Sequence, residues 1–99
     1  MVTLNNTQRQ YLRRAAHSLR PMVQVGKQGL TDAVIGAVDI ALTAHELIKV
    51  KFGDFKDEKT ELTNQLSTAT GSVLVSIVGN IAILFREHPE PGERKITLP

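Results

Sequence analysis

The order of hydrophobic periodicities predicts a compact α/β domain with the succession α-β-α-β-α-β-β and a four-stranded mixed sheet in two or three layers. Three segments repeat apolar residues at helical spacing, and four short runs of Val, Ile, Leu and Phe have the length and flanking glycines of strands. The chain has 99 residues, 41% of them apolar, which suffices for one core and leaves no room for a second. One domain over residues 1–99 is expected, with residues 88–99 as a tail lying on the surface.

The first helix is expected from about Thr7 to Leu19, with Asn5 or Asn6 as N-cap and Pro21 ending it. At 3.6 residues per turn Tyr11, Leu12, Ala15, Ala16 and Leu19 share one face, and Arg9, Arg13, Arg14, His17 and Arg20 share the other. Met22 to Val25 reads as a short strand closed by Gly26. Thr31 suits an N-cap, Asp32 the positive end of the helix dipole, and Val34, Ile35, Val38, Ala41 and Leu42 form the buried stripe of a second helix ending near His45. Leu47 to Phe52 alternates as a strand, with Ile48, Val50 and Phe52 on one face and Lys49 and Lys51 on the other. A third helix from about Asp57 to Thr70 would turn Leu62, Leu66 and Ala69 inward and end at Gly71. Val73–Val78 and Ile81–Arg86 are two strands joined by Gly79-Asn80, a pair suited to a tight hairpin. Strands alternating with helices imply a largely parallel sheet finished by that hairpin.

Composition removes several functions. With no cysteine, disulfides, thiolate metal sites and cysteine nucleophiles are excluded. No charged-then-apolar leader opens the sequence and no run of about 18 apolar residues could span a bilayer, so a soluble cytoplasmic domain without a membrane partner is expected. The formal charge of +2 conceals a segregation: residues up to Thr31 hold Arg9, Arg13, Arg14, Arg20 and Lys27 and no acid, leaving seven basic against ten acidic residues for the remainder. Such asymmetry points to a polyanion partner for the basic third, a solvated basic helix being the plain alternative.

The most informative stretch is Gly26-Lys27-Gln28-Gly29, between a strand and a helix start. Two glycines let the backbone approach a ligand, successive N–H groups can converge on an anion beside the positive helix end, and Lys27 adds a charge at the tip. A GxxG loop clamps nucleotide backbone in KH modules. The spacing is neither that of a Walker A loop nor that of a dinucleotide turn. His45-Glu46 begins like HExxH but has Lys49 in place of the second histidine, so no metal is expected. Asp57, Glu58 and Glu61 suit a helix first turn better than acid–base chemistry. No catalytic set, cofactor or small-molecule substrate is expected. Aromatic residues are scarce, with Tyr11, Phe52 and Phe85 expected in the core and Phe55 in a loop, so backbone contacts should dominate any RNA interaction.

Five segments resemble the YhbY proteins, single-domain bacterial members of the CRM-domain family: RRAAHSLRP (Arg13–Pro21), VGKQGLT (Val25–Thr31), HELIKV (His45–Val50), VGNIAILFR (Val78–Arg86) and KITLP (Lys95–Pro99). The resemblance covers nearly the whole chain in order. It implies a fold similar to the C-terminal domain of translation initiation factor 3 and a non-enzymatic role in binding rRNA in precursors of the large ribosomal subunit. The family's loop maps onto Gly26, Lys27, Gln28 and Gly29, and its basic helix onto Arg9, Arg13, Arg14 and Arg20. Lys49, Lys51 and Arg86 are second-rank candidates. Family members often carry a tyrosine where this chain has Phe85. A ribosome-associated protein adapter without RNA contact is the alternative.

Overall fold

The computed structural model describes residues 3–99. Helix α1 (Asn6–Ala16) begins at Asn5, whose side chain accepts the Gln8 N–H at 2.8 Å while Gln8 Oε1 accepts the Asn5 N–H at 3.1 Å, so two orphan donors are satisfied reciprocally. The helix ends a turn earlier than Pro21 would require, and the chain unwinds through Leu19, whose N–H reaches the Ala16 carbonyl. Strand β1 (Val23–Val25) omits Met22. Thr31 caps α2 (Asp32–His45) by accepting the Val34 N–H, and β2 (Leu47–Phe52) follows. The third helical segment is split into a 3-10 turn (Lys56–Glu58) and α3 (Lys59–Thr70), with Gly71 closing the helix at a φ of 67°. Two strands, β3 (Val73–Val78) and β4 (Ile81–Phe85), form the hairpin.

The sheet order is β1-β2-β4-β3. Only β1 and β2 pair in parallel, while β4 lies antiparallel to both β2 and β3. This corrects the expectation of a largely parallel sheet: β4 inserts between β2 and β3 and pairs with both, so two of the three ladders are antiparallel. Strand β4 can take that central place because both its faces are apolar, with Ala82 and Leu84 on one and Ile83 and Phe85 on the other, all buried.

The architecture is three layers. Val38 and Leu42 of α2 and Leu66 of α3 pack on Val25, Ile48, Val50, Phe52, Ala82 and Leu84, while Leu12 and Ala16 of α1 pack on Leu47, Val75, Ile83 and Phe85 across the sheet. The buried Thr63 and Thr70 of α3 return their hydroxyls to the carbonyls four residues earlier, so neither hydroxyl is left without a partner. Ala69 is exposed, contrary to the expected stripe. Tyr11, expected in the core, is 42% exposed and Ala15 is also exposed, because the buried line of α1 runs through Leu12 and Ala16 on the flank nearer Arg9.

The C-terminal segment is tied down more firmly than a surface tail. Ile96 and Leu98 are half-buried against the α1 cluster. Glu46, 1% exposed and at a φ of 64°, accepts the His88 N–H at 2.7 Å on Oε2 and the N–H groups of Lys95 (2.6 Å) and Ile96 (3.0 Å) on Oε1. Burial alone would raise its pKa. The three amides and the nearby His88 outweigh it and hold the carboxyl below its ordinary value.

Candidate nucleic-acid interface

Strand β1 ends on buried Val25 and turns immediately. The Gly29 N–H donates to the Gly26 carbonyl at 3.0 Å, closing a four-residue turn that presents Lys27 and Gln28 to solvent. Gly29 has a φ of 72°, which strains any side chain, and a Cβ there would lie 3.6 Å from the Phe55 ring. Gly26 is different: a Cβ there would meet no atom within 4 Å, so its glycine is not required by packing inside the chain. Among the described residues, the N–H groups of Lys27 and Gln28 have no acceptor. The α2 N-terminus lies just beyond, through Thr31. Two free amides and a lysine thus lie in an exposed turn a few residues ahead of a helix start, residue types and backbone groups suited to a phosphate.

The structure divides the predicted arginines. Arg13, Arg14 and Arg20 are exposed. Arg9 is half-buried, and its guanidinium donates to the carbonyls of Leu74 (2.6 Å) and Val75 (3.0 Å). Those carbonyls lie where the β3–β4 register shifts between Leu74 and Ser76, on the outer strand of the sheet. Arg9 therefore caps a bulge and covers an edge that would otherwise offer free backbone acceptors. Arg86, at the end of β4, lies on the opposite face. It donates to Asp39 Oδ1 (2.6 Å), the Thr70 carbonyl (2.7 Å), the Asp39 carbonyl (3.0 Å) and Thr43 Oγ1 (2.8 Å), which joins α2 to α3. Both cations are engaged within the fold. Phe85 is fully buried.

Lys49 and Lys51 project from β2 onto the face that α1 covers only in part. Lys51 is exposed, and Lys49 is half-buried with its Nζ donating to the Leu19 carbonyl at 3.0 Å. Gln10, Arg13 and Arg14 of α1 and His17 at its C-cap line a groove of about 590 Å³ together with Lys49. The i, i+3, i+4, i+7 spacing of those four residues is legible in the sequence, and the structure adds Gln10 to the face that carries Arg13, Arg14 and His17. Register links the parts: Gln24 of β1 lies beside Lys51, and Lys51 beside Ile81 of β4. A basic tract therefore runs from the exposed edge of α1, across the open part of the sheet, toward the loop at the end of β1.

A model of the CRS1 / YhbY (CRM) domain matches residues 4–86. An RNA-binding protein of Haemophilus influenzae is 39% identical over 100 residues, covering all of this chain and 98% of the relative. The Bacillus subtilis protein named Probable RNA-binding protein YqeI is 37% identical, covering 97% of this chain and 99% of its own. The solution structure of hypothetical protein SAV1595 from Staphylococcus aureus superposes with a TM-score of 0.82 at 39% identity, covering 98% of this chain and 100% of that one.

Proposed function

Since this chain belongs to the CRS1 / YhbY (CRM) domain family, we propose that it acts as a non-enzymatic RNA-binding protein that engages rRNA in precursors of the large ribosomal subunit. The observation that carries the RNA contact is the Gly26–Gly29 turn, with its unpaired Lys27 and Gln28 amides beside the α2 N-terminus. The ribosomal target rests on the resemblance to YhbY proteins.

In this reading the loop holds one phosphate through the two amides and Lys27, and the space beside Gly26 admits the sugar-phosphate backbone. Arg13, Arg14 and Arg20, with Lys51 and Lys49, follow the neighbouring phosphates. Arg9 and Arg86 hold the fold together and leave the RNA to the others. Each phosphate neutralised contributes a log–log salt slope of about −0.7 to −0.9, so affinity should fall steeply with ionic strength. Replacing Lys27 and Gln28 together by aspartate should weaken filter-binding affinity for large-subunit rRNA while the circular dichroism spectrum stays unchanged. Unaltered affinity would remove the loop from the interface. Nuclease treatment should release the protein from ribosomal particles, whereas retention after digestion would favour a protein adapter.

A further inference from the structure

The groove beside α1 has a second character besides its charge. Its floor is aliphatic, formed by Val78, Ile81 and Ile83 of the hairpin, and Val78 is 54% exposed. The rim contributed by Arg13, Arg14, His17 and Lys49 contains no carboxylate. One of the three Lys49 N–H groups is taken by the Leu19 carbonyl, and among the described residues the other two have no partner.

An occupant that satisfies both parts must be anionic at its edges and apolar across one face. A paired RNA helix offers phosphates and groove edges but keeps its base faces stacked. An unpaired nucleotide offers a bare base face flanked by two phosphates. We propose that this groove receives one unpaired base of an RNA strand, laid against Val78, Ile81 and Ile83, with Arg13, Arg14 and Lys49 on the adjoining phosphates. The proposal rests on the RNA-binding reading above and adds the form of RNA bound. It assigns a role to Val78, Ile81 and Ile83, to which charge or motif gives no clue. Two strand spacings, about 10 Å, separate β4 from β1. A single strand leaving the groove over Lys51 therefore reaches the loop without bending back.

The test is methyl NMR on protein labelled at isoleucine and valine, titrated with a short oligouridylate and, separately, with a blunt-ended RNA duplex, affinities being measured in parallel by fluorescence anisotropy. With oligouridylate the methyls of Val78, Ile81 and Ile83 should shift and show cross-relaxation to uracil protons. With the duplex, amide spectra of a uniformly nitrogen-labelled sample should show the Lys27 and Gln28 N–H groups moving, while those methyls should not. Oligouridylate that binds without disturbing the three methyls, or a duplex that disturbs them equally, would overturn the groove assignment and leave the RNA reading standing. If neither RNA binds, both readings fail together. Val78→Ser, at an exposed position on the outer strand, should weaken oligouridylate binding about fivefold through lost apolar contact and leave duplex affinity unchanged.

Discussion

Replacing Glu46 by glutamine should release the C-terminal segment. In the native protein three backbone N–H groups converge on one buried, ionised carboxylate. Glutamine can accept with one oxygen only, and its amide nitrogen would oppose a donor on the other side. Hydrogen bonds to a charged group contribute about 1.5–3 kcal/mol each, and a buried donor left unpaired costs a comparable amount, so the expected loss is about 3 kcal/mol. For a domain of this size that lowers the thermal midpoint by about 12–24 °C. The sign of the pH dependence follows from the lowered pKa. The stabilisation is fully present above the unfolded carboxyl value of about 4.3 and is lost as pH falls through the lower folded value. Wild type and Glu46→Gln should therefore differ at neutral pH and converge in acid. Thermal denaturation followed by circular dichroism, with hydrogen exchange at the Lys95 and Ile96 amides, measures both parts. A midpoint at neutral pH within about 3 °C of wild type, with those amides still protected, would refute the latch.

Arg9→Met should destabilise the fold by about 2 kcal/mol in urea denaturation, since two carbonyls at the bulge lose a charged donor, while RNA affinity changes little. The paired replacement of Arg13 and Arg14 by alanine should do the reverse, leaving stability intact and reducing the salt slope of RNA binding by about 1.5. Gly26→Ala should fold normally and weaken RNA binding in a filter assay, because the space its methyl fills is empty in the free protein and lies beside the proposed phosphate. Gly36→Ala, inside α2 with open space around it, should raise stability by about 0.5–1 kcal/mol, whereas Gly71→Ala, at positive φ, should lower it by about 1 kcal/mol.

Local chemistry made most of the fold legible. Asn5, Thr31 and Gly71 mark helix ends whose capping depends on neighbours three or four residues away, and the alternation of β2 survives in its burial from Ile48 to Phe52. Pairing was not legible, because the two apolar faces of β4 state that it is central and do not say between which strands. Arg9 and Arg86 looked like the other cations in sequence. Their distinction comes from a bulge and from two helix segments distant along the chain. In sequence Glu46 is a fragment of an incomplete metal motif, and what sets it apart is the return of residues 88–96 to its carboxylate. Ile96 and Leu98, alternating in KITLP, were the available sign that this segment docks. At the interface, the loop was readable because a GxxG turn needs only four consecutive residues. The groove needed α1 and the hairpin brought together.

Ultraviolet crosslinking in cells, with sequencing of the attached RNA and mass-spectrometric mapping of the crosslinked residues, tests RNA class and protein surface at once. Large-subunit rRNA in precursor particles should dominate, with crosslinks on the Gly26–Gly29 loop, the exposed face of α1 and the open part of the sheet. Crosslinks concentrated on the outer faces of α2 and α3, or RNA drawn without preference from the whole transcript pool, would contradict it.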